Sequence, residues 1–199
     1  MPNQKPQIVF IHGGDAIRDP EKLYRLLHRR SFNPYEQRKK WREEMFKSLA
    51  ETHECHALSM PNAFCADYEA WKIWFGKMVP YLRDGCMLIG HSLGGGFLLR
   101  YLTENALPVT VKQLHLIAPV VLDLEDCEGF LINVENWSGF RSSLQSVHLW
   151  HSEDDNLVPI GHSEAFAALY PVAILHRFTD RGHFLTESFS EIETAIQSI

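Results

Sequence analysis

The chain has 199 residues, of which 45% are hydrophobic; that is enough to bury a core and too little for a core plus a separate cap, so a single domain over residues 1–199 is expected. A net charge of −6 with no recognisable nucleic-acid-binding module argues against nucleic acid as a partner. No apolar run reaches the roughly 18 residues of a membrane span, Met1-Pro2-Asn3-Gln4-Lys5-Pro6 does not read as a signal peptide, and Cys55, Cys65, Cys86 and Cys127 lack C-x-x-C spacing, so a cytoplasmic protein with reduced thiols is expected.

The first apolar run, Ile8-Val9-Phe10-Ile11, reads as a strand that opens into His12-Gly13-Gly14-Asp15. Residues 18–47 interrupt the pattern with ten Lys and Arg against five acids, a local +5 that leaves the rest of the chain at −11. The plain reading is a solvated helical face around Tyr24, Leu27, Trp41 and Phe46. The functional one is a basic lid or docking surface beside the site, with Arg29, Arg30, Lys39 and Lys40 acting on anionic ligands. His53-Glu54-Cys55-His56 holds metal-ligand residue types, but in a strand side chains three apart point to opposite faces, so no metal is expected there.

Helical spacing covers residues 41–50, 67–81, 97–104 and 163–170, and further apolar runs begin near Cys55, Cys86, Val111, Val147 and Ala173. This alternation predicts an α/β fold with a mostly parallel sheet of about six strands, helices on both faces and function at the carboxyl ends of the strands. Residues 123–140 form a second insertion with five acids, and its Phe130, Trp137 and Phe140 serve either as pocket walls or as anchors for a loop.

The chemistry concentrates at Gly90-His91-Ser92-Leu93-Gly94, which follows the strand Cys86-Met87-Leu88-Ile89 and leads into a helix. A G-x-S-x-G sequence in that context reads as a nucleophile elbow, a turn so sharp that small residues must flank the serine. Gly94, Gly95 and Gly96 in a helix's first turn should each cost about 1 kcal/mol relative to alanine, a cost explained if side chains there would clash.

A serine nucleophile needs a base, and the base needs an orienting acid. In the order serine, acid, histidine, the loop Ser152-Glu153-Asp154-Asp155 after one strand offers carboxylates, and Gly182-His183-Phe184 after the next offers His183. Asp155 is preferred over Asp154 because it stands three residues before Val158-Pro159, where the valine can fix the loop. The Leu93 N–H and, from the loop after the first strand, the Gly14 N–H are the expected oxyanion donors, with His12 bracing that loop.

Together, His12-Gly13-Gly14, Gly90-His91-Ser92-Leu93-Gly94, Asp155-Asn156-Leu157-Val158-Pro159 and Gly182-His183-Phe184 resemble an α/β-hydrolase. More narrowly, the chain resembles the small serine hydrolases typified by YdeN and retinoblastoma-binding protein nine, with a longer stretch before Trp41 than that group leads one to expect. The resemblance implies a compact α/β-hydrolase fold and a serine hydrolase acting on a small-molecule ester, thioester or amide through an acyl-enzyme. The alternatives are a hydrolase-fold binding or regulatory protein working through partner contact, and an acyltransferase. Neither G-x-x-x-x-G-K-[ST] nor G-x-G-x-x-G is present, and no cofactor is implied.

Overall fold

A computed structural model describes residues 4–35 and 40–198. Six strands, β1 (Gln7–Ile11), β2 (Glu54–Leu58), β3 (Cys86–His91), β4 (Val111–Ile117), β5 (Leu144–Ser152) and β6 (Ile174–Phe178), form one sheet in the order β2-β1-β3-β4-β5-β6. Every neighbouring pair is parallel. The two strands at the centre of the site, β1 and β3, are buried on both faces, which is why Ile8–Ile11 and Cys86–Ile89 read as unbroken apolar runs and not as alternating ones.

Helices α3 (Tyr68–Gly76), α4 (Leu93–Glu104) and α5 (Gly161–Leu169) cover one face, where Val9, Ile11, Leu88, Leu114 and Leu149 meet Trp71, Phe75, Phe97 and Phe166. On the other face Ile8, Phe10, Met87, Ile89 and Trp150 meet Trp41, Met45 and Leu49 of α2 (Trp41–Leu49) and Ile192 and Ile196 of α6 (Ser190–Gln197). Strand order reverses between β1 and β3, and in open parallel sheets that reversal opens a crevice at the carboxyl ends. Among the described residues no helix is long and apolar enough to cross a membrane.

The first insertion departs from its plain reading at Trp41, and the second follows its plain one. In residues 18–47, α1 (Pro20–Arg29) has no buried residue, with Tyr24 and Leu27 exposed, whereas Trp41 of α2 is core. Residues 36–39 of that segment, Lys39 among them, lie outside the described residues. The aromatics of residues 123–140 are anchors: Phe130 packs edge-on against Tyr68 and Trp71, while Trp137 packs against Phe166 and Tyr170 and donates to Thr103 Oγ1 at 2.9 Å. The opposite charges of the two insertions meet directly, since Lys22 of α1 pairs with both Glu125 and Asp126.

The face beneath α6 carries polar groups that the apolar pattern hides. His115 accepts from Trp150 Nε1 at 3.1 Å and faces Gln113 Oε1 at 3.3 Å, while Gln113 donates to Ala195 O at 3.0 Å. His148 stacks between His115 and His176, and the His176 ring lies 3.7 Å from that of Trp150. Burial lowers the pKa of all three histidines, that of His176 to about 4. The unfolded chain therefore takes up protons near pH 6.5 while the folded one resists until about 4, so stability is complete above the first value and falls as pH drops toward the second. The Tm should fall by roughly 5 °C or more between about pH 7 and about pH 4.5. Calorimetry of His176→Phe, which keeps the stack and removes one titrating ring, should show a smaller fall.

Candidate active site

Ser92 stands between β3 and α4 with φ 56° and ψ −121°, a conformation closed to most side-chain-bearing residues. Four backbone hydrogen bonds hold it there: Ser92 N–H to Ile117 O at 2.8 Å, and Ser92 O accepting from Gly95, Gly96 and Val120 N–H at 2.9, 3.2 and 3.3 Å. Such strain, about 1–3 kcal/mol, persists only where the surroundings over-determine it.

The glycines around the serine are dictated by space. A Cβ on Gly94 would lie 2.5 Å from both Ile11 O and His12 O, one on Gly90 would lie 2.6 Å from Gly94 O, and one on Gly96 would lie 2.6 Å from Val120 O. The loop after β1 passes as closely: a Cβ on Gly13 would lie 2.9 Å from Ser92 Cβ and 3.4 Å from its Oγ. Gly14, the donor expected from sequence, packs its Cα against Ala63 O, where a Cβ would stand 2.5 Å away. Among the described residues no acceptor pairs with the N–H of Gly14 or of Leu93. His12 accepts from Met60 N–H through Nε2 at 2.9 Å, so its proton is on Nδ1, which donates to Gly13 O at 2.5 Å and steadies this loop.

His183 lies in the turn after β6, between Gly182 at φ 50° and Phe184 at φ 53°. Its Nδ1 is 2.7 Å from Asp155 Oδ2, and the Asp155 side chain is wholly buried at the end of β5. Asp155 Oδ1 accepts from the Leu157 and Val158 N–H groups at 2.9 and 3.0 Å. Burial alone would push this carboxyl up, but His151 at 3.6 Å, the His183 hydrogen bond and the Val158 amide outweigh it and hold the acid well below the usual range. Asp154 faces elsewhere: its Oδ1 accepts from Ser152 Oγ at 2.5 Å and Gly182 N–H at 2.9 Å.

Thus β1, β3, β5 and β6 bring His12-Gly13-Gly14, Ser92, Asp155 and His183 to one end of the sheet. The profile of the serine hydrolase family matches residues 35–197. The chain belongs to that family. This serine hydrolase is 26% identical over 150 residues to the rat serine hydrolase RBBP9, covering 73% of this chain and 77% of that one. Its fold is similar to that of the ydeN gene product of Bacillus subtilis, at TM-score 0.74 and 22% identity over 98% of each chain. An esterase from Exiguobacterium antarcticum is similar at TM-score 0.62 and 14% identity, over 98% of this chain and 91% of that one.

Three further residues, which sequence reasoning assigns no role here, shape the hydrolase's site. His91 Nε2 bonds His183 O at 2.9 Å, and burial, reinforced by His183, lowers its pKa to about 4, so it is a neutral donor. Trp41 donates to Phe184 O at 2.9 Å and packs edge-on against His91 and Phe189. Ser152 accepts from Arg181 N–H at 3.0 Å while donating to Asp154. His91 stood within the motif itself, and only the fold reveals that its ring faces the turn that carries His183. Among the described residues no group of three or more His, Cys, Asp or Glu is placed to hold a metal; His56 pairs with Glu54, and His53 bonds Thr52.

The spacing at the elbow makes a sharp stability prediction. Gly94→Ala, forcing a methyl onto two carbonyl oxygens, should cost about 3 kcal/mol or leave the protein insoluble. Gly76→Ala at the end of α3, where a Cβ meets nothing within 4 Å, should be neutral or mildly stabilising in the same urea titration.

Proposed function

We propose that this hydrolase cleaves a carboxylic ester, thioester or small amide in the cytoplasm through an acyl-enzyme on Ser92. The observation that carries the reading is the 2.7 Å contact between His183 Nδ1 and the buried, ionised Asp155, on strands that end beside the strained serine. The Asp155 carboxylate accepts a hydrogen bond from His183 Nδ1–H and fixes that tautomer, which leaves the Nε2 lone pair of His183 free to take the Ser92 hydroxyl proton. As Oγ bonds to the substrate carbonyl carbon, the oxygen turns anionic within reach of the Leu93 and Gly14 N–H groups. His183 then protonates the leaving group, and a water that gives its proton to His183 attacks the acyl carbon and releases Ser92. The unpaired thiols of Cys55, Cys65, Cys86 and Cys127 are consistent with a reducing compartment.

Ser92→Ala should abolish covalent labelling by a fluorophosphonate and lower hydrolysis of a short activated ester by about 10⁴-fold or more, with an unchanged circular dichroism spectrum. Full labelling of that variant would place the nucleophile elsewhere.

The adjacent carboxylates separate the acid's role. Asp155→Asn should slow turnover roughly 10³- to 10⁴-fold by favouring the wrong His183 tautomer. Asp154→Asn keeps the oxygen that accepts from Ser152 and Gly182 and should change turnover less than about tenfold. The reverse ranking in steady-state kinetics would assign the acid to Asp154.

A further inference from the structure

Helix α1 carries Leu23, Tyr24, Leu26 and Leu27, yet none of its residues is buried. Tyr24 and Leu27 are 55% and 46% exposed, and just beyond the helix Phe32 and Tyr35 are 89% and 91% exposed. A surface helix is ordinarily kept by seating its apolar stripe on the core. Here a surface cavity of about 390 Å³ is lined by Pro20, Leu23 and Tyr24 of the helix together with Ile17 and Cys65.

Polar ties hold α1 instead. The Asp19 carboxylate caps the Glu21 N–H, Pro20 starts the first turn, and ion pairs run from Arg18 to Asp67, Lys22 to Glu125 and Asp126, and Arg30 to Asp15. Exposed pairs of this kind contribute little to stability, so folding energetics alone do not account for the stripe. Arg25 and Arg29 add cations along the exposed helix, and Arg25 stands 4.0 Å from Asp19.

The charge distribution selects the occupant. Residues 20–35 carry Lys22, Arg25, Arg29 and Arg30 against Glu21, a net +3 on a chain whose remainder is −9. Two copies meeting through this face would bring like charges together, whereas an anionic lipid surface attracts the cations, receives Tyr, Phe and Leu at its headgroup boundary and repels the acidic body. The Arg30–Asp15 pair also sets the end of α1 two residues from Gly13, which touches Ser92, so a surface held there lies beside the site mouth. We propose that α1 and residues 31–35 dock on an anionic lipid surface.

Docking needs no turnover, so the test uses the full chain as Ser92→Ala, which separates this proposal from the reading of the site. Co-sedimentation should show binding to equimolar phosphatidylcholine–phosphatidylglycerol vesicles at least about tenfold tighter than to phosphatidylcholine alone, weakening as salt is raised. Arg25→Glu with Arg29→Glu should reduce that binding about tenfold or more, and Leu27→Ser several-fold, with thermal unfolding unchanged. Equal partition into the two vesicles, no binding to either, or binding indifferent to the two arginines would overturn the proposal. So would a concentration-dependent dimer, dissolved by Leu27→Ser, that leaves vesicles unbound.

Discussion

The close approach of the first turn of α4 to the ends of β1, β3 and β4 is the constraint from which the site follows. Carbonyls of Ile11 and His12 lie where a Gly94 side chain would begin, and the Gly94 carbonyl lies where one on Gly90 would. Only because these positions lack a Cβ can Ser92 sit at the apex of the turn with both of its backbone groups bonded. Glycine in a helical first turn costs stability, and packing this tight needs that cost. The Gly13 loop also passes so close to Ser92 that a Cβ there would stand 3.4 Å from the hydroxyl oxygen.

Electrostatics at the site are sorted by neighbours only one or two residues apart. Asp155 is held ionised by His151, His183 and the Val158 amide; Asp154 beside it grips backbone and a hydroxyl; His91, next to the serine, stays neutral and donates its N–H to the turn holding His183. Outside the site, opposite charges that look like two unrelated biases in sequence neutralise one another where Lys22 meets Glu125 and Asp126.

Much of this was legible because its cause is local. Five consecutive residues, Gly90-His91-Ser92-Leu93-Gly94, after an apolar strand suffice to announce the turn, and six apolar runs with helical spacing between them announce the parallel sheet. What stayed hidden depends on distant partners. Nothing near Lys22 signals acids about a hundred residues later, and Trp41 reads as part of a solvated face because its partner, the turn after β6, lies more than a hundred residues away. His115, His148 and His176 lie on three strands, so their stack exists only through the register of β4, β5 and β6. The α6 helix, short and carrying two glutamates in its first turn, gave too weak a periodic signal to be placed.

The turn that closes β5 carries Ser152, Asp154 and Asp155, and each reaches a different part of the segment around His183: Ser152 the Arg181 amide, Asp154 the Gly182 amide, Asp155 the imidazole. Main chain and ring are therefore referenced to one rigid body. If that body shifts, the His183 imidazole and the Asp155 carboxylate travel together and their mutual spacing is conserved, so the coordinate left free to vary is the gap between the imidazole and the Ser92 hydroxyl. Under the proposed mechanism, motions at this end of the sheet would modulate attack by Ser92 without disturbing the His183 tautomer.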